Sequence, residues 1–159
     1  MLNVDALIAK LLNSAKEITA TLAERTPAYC YVNSMTAITI TAQSTDTLIP
    51  ITGLGAHTSE FSLQSNGFKI SKAGRYMFSA QASCNTATSG DLMGISIYKN
   101  GTSWIGPEYN RVGGTYDRIA LLPTIIDVSA NDVFTLYGRN NSSGRGTFNT
   151  LRLSVVRLA

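Results

Sequence analysis

One stretch constrains this chain more than any other: GFKISKAGRYMFSAQASC, Gly67 to Cys84. After Gly74 the side chains alternate without interruption. Tyr76, Phe78, Ala80, Ala82 and Cys84 fall on one face, and Arg75, Met77, Ser79, Gln81 and Ser83 on the other. A strand has a side-chain period of two, so this is the pattern of a half-buried antiparallel sheet, aromatic at one end and small at the other. Phe68 and Ile70 alternate just before it. The segment therefore reads as two strands hinged on Gly74, where a tight turn of positive φ suits glycine.

The same β pattern holds from Ala28 to the end. Ile38-Thr39-Ile40 and Leu48-Ile49-Pro50-Ile51 are short strand candidates, the second on an edge because proline cannot donate to a ladder. Met93 to Lys99 ends in Asn100-Gly101, a hairpin signal. Ile119 to Val128 and Val133 to Tyr137 are separated by Ser129-Ala130-Asn131-Asp132 and read as a second hairpin, and Leu151 to Leu158 forms a last strand. Short strands punctuated by turns, with no helix between them, indicate a mainly β antiparallel sandwich or barrel.

Residues 1–26 follow a different rule. Val4, Ile8, Leu11, Ala15, Ile18 and Leu22 are spaced four, three, four, three and four apart, an a/d heptad rhythm that Pro27 ends. Leu7 and Leu12 broaden the stripe, which leans toward three strands rather than two. The stripe serves self-association or docking into a partner, with packing on its own domain as the alternative. The division predicted is a helix over 1–26 and a β domain over 27–159.

Composition narrows the functions. The net charge is only +3, and Arg139, Arg145, Arg152 and Arg157 form no run, so nucleic acid is not an expected partner. The N-terminal segment has no basic leader, and Asp5, Lys10 and Asn13 interrupt its apolar positions, which argues against a signal peptide and against membrane insertion. Cys30 and Cys84 set no disulfide framework and are expected as free thiols. With one histidine, His57, and no G-x-S-x-G elbow, the chain is expected not to be an enzyme and to need no cofactor or metal.

Phe61, Phe68, Gly74, Tyr76 and Phe78 spell F-x6-F-x5-G-x-Y-x-F. This resembles the signature of the C1q-like domains, within the wider C1q/tumour-necrosis-factor jelly-roll group, and the resemblance spans roughly residues 56 to 158. It implies an antiparallel jelly-roll sandwich that assembles as a tight homotrimer. It would place part of an apolar set at the subunit interface, Tyr29, Tyr31, Tyr98 and Tyr137 with Met77 beside them. The heptad spacing independently assigns Val4, Ile8, Leu11, Ile18 and Leu22 of the helix to the same interface. With neither leader nor collagen-like stalk, the resemblance points to a bacteriophage or prophage virion assembled in the host cytoplasm, as a fibre, baseplate or head-decoration tip joined to other virion proteins through the helix. A bacterial or spore-surface adhesion module is the alternative.

One segment invites a binding reading. Gly101 to Arg118, GTSWIGPEYNRVGGTYDR, reads as a loop carrying Trp104, Tyr109 and Tyr116 among Asn110, Arg111 and Asp117. Aromatic platforms beside planar hydrogen-bonding groups suit a host-surface glycan or protein. Covering of the core or of a subunit interface is the competing reading.

Overall fold

The computed structural model describes residues 4–25, 27–32, 37–86, 90–113, 117–141 and 145–158. A helix, α1 (Val4–Arg25), precedes β1 (Tyr29–Val32), β2 (Ile38–Ile40), β3 (Thr47–Ile49), β4 (Phe61–Gln64), β5 (Gly67–Ile70), β6 (Gly74–Thr86), β7 (Asp91–Lys99), β8 (Thr102–Val112), β9 (Asp117–Val128), β10 (Asp132–Asn140) and β11 (Gly146–Arg157). All strand pairings are antiparallel.

Two sheets face each other. Sheet A runs β1-β11-β6-β9 with β2 also on β11, and sheet B runs β4-β5-β10-β7-β8 with β3 also on β10. The alternation read after Gly74 becomes the 13-residue strand β6. Its aromatic face points inward: Tyr76, Phe78, Ala80, Ala82 and Cys84 are buried. Phe78 meets Phe134 of sheet B with ring centroids 4.8 Å apart, and Phe68 stacks on Phe134 at 5.7 Å. Each such side chain contributes about 1.5–3 kcal/mol by leaving water, and together they tie the two sheets into one core.

Asn100 and Gly101 both take positive φ, 52° and 80°, and close the β7–β8 hairpin as the sequence predicts. Two other turns differ from expectation. Gly74 has the positive φ expected of it, 157°, and opens β6 opposite Val128, and what differs is where its turn leads. The turn before it carries the chain from β5 in sheet B to β6 in sheet A, and the Ser129–Asn131 turn carries it from β9 in sheet A to β10 in sheet B. Neither is a hairpin; each is a crossing between layers. Gly138 and Gly146 mark where the layers press close, since a Cβ would lie 2.4 Å from the Phe148 ring at the first and 2.2 Å from Met93 Sδ at the second.

Ends of the sandwich are locked by polar contacts. The Tyr76 hydroxyl lies 3.0 Å from Glu60 Oε1 and 3.0 Å from the Lys72 carbonyl, and Arg157 pairs with Glu60 at 3.5 Å. Burial, then the Glu60 hydrogen bond, push the Tyr76 phenol well above its ordinary range. Cys30 and Cys84 are both buried free thiols, as expected. Burial raises Cys30 to about 11 and Cys84 to about 12, so both remain protonated and inert at neutral pH.

Candidate functional site

The outer face of sheet A is built in rows set by strand register. Tyr29 stands opposite Val156, Val156 opposite Met77, and Met77 opposite Ile125. This row crosses the whole sheet, with Tyr29 45% and Ile125 49% exposed. Leu122, beside the irregularity where β9 slips against β6, is 67% exposed. The next row sets Tyr31 beside two small residues, Ser154 and Ser79. Beyond it come Arg152, Gln81 and Ala120, then Thr150, Ser83 and Arg118. The face thus grades from apolar to basic along the strands, from Met77 to Ser83 of β6.

The outer face of sheet B is chemically different. Tyr98 and Tyr137 pack with ring centroids 4.0 Å apart, and the Tyr98 hydroxyl donates to Asp46. Arg139 lies 2.7 Å from Asp46, Nε to Oδ1, off the N–H axis, so the contact is an ion pair rather than a hydrogen bond. Arg139 also donates to the Tyr109 hydroxyl at 3.3 Å. It reaches across Gly94, which stands between Arg139 and Tyr109 in the register and has no side chain to block it. The hydrogen bond to Asp46, then burial, raise the Tyr98 phenol. Cation, anion and phenols here contact one another within one chain, with Asp46 Oδ1 and Arg139 Nε held by charge rather than by a hydrogen bond.

The tyrosines that the sequence groups are therefore divided. Tyr29 and Tyr31 project from sheet A, while Tyr98 and Tyr137 project from sheet B, on the opposite side of the sandwich. Met77 shares the Tyr29 face. On α1 the described side chains, residues 4–19, are all exposed, including Val4, Leu7, Ile8, Leu11, Leu12 and Ile18. Their stripe is not covered by the chain's own β domain. Of Leu22 only the backbone is described.

Gly101 to Arg118 is not a long loop. Its first part is the 11-residue strand β8, on the edge of sheet B, with a bulge at Gly106 (φ 87°) and Pro107 against Ile95–Ile97. Tyr109 is half-buried over Gly94, and Arg111 donates to the Gly90 carbonyl at 3.1 Å. Asp117 begins β9, and its carboxylate accepts the Arg118 and Gly113 amides at 2.8 and 2.9 Å, which hold its pKa down. Tyr116 lies outside the described residues, and of Trp104 and Asn110 only the backbone is described. Among the described residues no group of His, Cys, Asp and Glu is placed to hold a metal ion. His57 is exposed, its Nδ1 2.7 Å from the Gly55 carbonyl. No helix among the described residues is long and apolar enough to cross a membrane.

Sequence reading missed the row Tyr29–Val156–Met77–Ile125. Alternation could have assigned each residue to the outside of its own strand, but only the register aligns them. It also missed the Asp46–Arg139 pair, whose members are 93 positions apart in the chain.

No protein-family model matches the sequence, and no curated protein matches it. Solved structures do. Murine APRIL superposes with a TM-score of 0.56 at 13% identity, over 83% of this chain and 99% of that one. The PRD1 vertex protein P5 gives 0.54 at 11% identity, over 83% and 97%. The Eiger TNF of S. frugiperda gives 0.51 at 12% identity, over 84% and 92%. Identities this low establish architecture: the chain has a TNF-like jelly-roll fold, the fold class that the resemblance to the C1q-like signature implies.

Proposed function

We propose that the protein is a non-enzymatic homotrimeric structural protein of a phage virion, standing at a fibre, baseplate or head-decoration tip and attaching to a host-surface glycan or protein. The observation that carries this reading is the apolar row Tyr29–Val156–Met77–Ile125 on the outer face of sheet A, continued by Leu122. Exposed apolar side chains aligned across a sheet mark a surface meant to be covered. The uncovered heptad stripe of α1 supports the same reading, because a short amphipathic helix gains most of its stability from packing. Three copies joined through sheet A leave sheet B facing outward. The helices then pair with one another or dock into neighbouring virion proteins.

The virion setting is supported by the fold shared with the PRD1 vertex protein P5. Attachment falls to the edge of sheet B, where Tyr109 and Arg111 on β8 sit near Trp104 in the chain. Immunogold microscopy of particles from the producing strain tests the setting. Label at tips or vertices is the expected result, and label confined to the bacterial envelope, without particles, overturns it. Replacing Trp104 by Ala is expected to reduce adsorption to host cells about tenfold or more with the oligomer intact; unchanged adsorption removes β8 from the attachment surface.

A further inference from the structure

The arginines form no run in the sequence, yet the fold brings two of them to one groove. Arg118 on β9 and Arg152 on β11 flank β6 on the outer face of sheet A, opposite Ser83 and Gln81 respectively. Two strand spacings and a two-residue offset put their Cα atoms about 12 Å apart. A groove of about 290 Å³ between them is lined by both arginines with Gln81, Ser83 and Thr150. It adjoins a second hollow of about 370 Å³ that shares Gln81 and Arg152 and extends to Tyr31.

Neither guanidinium has a carboxylate partner among the described residues. Asp117, next to Arg118 in sequence, accepts the Gly113 and Arg118 amides and does not line the groove. The other charged pair on this face, Arg75 with Asp127, lies at the opposite end of β6. What remains around the groove is neutral and hydrogen-bonding: the Gln81 amide and the Ser83 and Thr150 hydroxyls, 2.6 Å apart. Two planar forks of N–H donors beside hydroxyls are the chemistry that recognises a tetrahedral oxyanion.

This inference rests on the reading of sheet A as the subunit interface. Association there would bring the arginines of several copies out of water against like charge. Burying unpaired charges opposes association unless a counter-ion goes with them. We infer that Arg118 and Arg152 form a binding site for inorganic phosphate or sulfate, and that occupancy of this site strengthens trimer assembly by mass action.

Sedimentation equilibrium of the full chain tests it, in potassium phosphate and in potassium chloride at matched ionic strength and pH. The trimer is expected to be about tenfold or more tighter in phosphate. Arg118→Gln and Arg152→Gln should each remain trimeric and lose that dependence, which separates site binding from the general salting effect of phosphate on apolar burial. A wild-type trimer equally tight in both salts overturns the inference and leaves the interface standing. Variants that weaken the trimer in both salts also overturn it, because the arginines would then be pairing with a neighbour's carboxylates. If the wild type is a monomer in both salts, the interface reading and the coupling fail together. Calorimetric titration with phosphate then decides the site alone: saturable binding lost in Arg152→Gln retains it, and no binding removes it.

Discussion

The two outer faces of the sandwich share a backbone geometry and differ in how their side chains are satisfied. On sheet B, Asp46 pairs with Arg139 and accepts from Tyr98, Tyr98 packs on Tyr137, and Arg139 reaches Tyr109. The charged and phenolic groups of that face thus find partners within the chain. On sheet A an apolar row ends in the exposed Tyr29 and Ile125, with Met77 and Val156 half-buried between them. Beyond it, Arg118 and Arg152 have no carboxylate partner among the described residues. The difference separates a surface whose polar groups pair within one chain from the surface that we propose is covered by further copies of it.

The largest effect comes from the layer that both faces share. Phe78→Ala empties a fully buried aromatic site between the sheets and is expected to cost about 3–5 kcal/mol. Thermal or denaturant unfolding measures it, and a wild-type transition would contradict the packing described. The contrast between the faces is tested next. Met77→Lys puts a charge into the apolar row and is expected to weaken self-association by about 100-fold or more, read as monomer mass in sedimentation. Tyr137→Lys, on the other face, should leave the mass unchanged. Equal behaviour of the two variants would erase the distinction between the faces.

Smaller effects probe how complete sheet B is. Asp46→Asn removes the charge that Arg139 pairs with and weakens the acceptor for Tyr98. A cost of about 1 kcal/mol is expected, with no change in oligomeric mass. The smallest is acid sensitivity at the end of this sheet. Burial raises the Asp132 carboxyl, but Lys99 at 2.8 Å, Asn100 and the Ser129 amide outweigh it and leave its pKa below the ordinary 3.8. A depressed folded pKa means that the unfolded chain binds the proton more readily. The contribution is therefore present above about pH 4 and is lost as pH falls through the folded value. Stability measured from pH 5 to pH 2 should fall less steeply in Asp132→Asn.

Local pattern reaches as far as one strand and its turn. The inward face of β6 and the Asn100–Gly101 hairpin were legible because period-two alternation and paired positive φ are properties of neighbouring residues. Which sheet the next strand joins is not. The turns before Gly74 and after Val128 look like hairpin turns in sequence and serve as crossings, because that choice is made by packing across the core. Strand β8 read as a loop since Gly106 and Pro107, which form its bulge, break the alternation. The Arg118–Arg152 groove was invisible for the same reason as the apolar row: 34 positions of chain separate residues that register places on either side of β6. The heptad of α1 was legible as a stripe, and the fold adds that its own domain does not cover it.

The central claim is that sheet A, with its apolar row, is an interface between copies of this chain. The most direct test is the molar mass of this 159-residue chain by light scattering across micromolar concentrations. The account predicts a single species at about three times the 17.0 kDa of one chain. A species at 17.0 kDa throughout that range would contradict it.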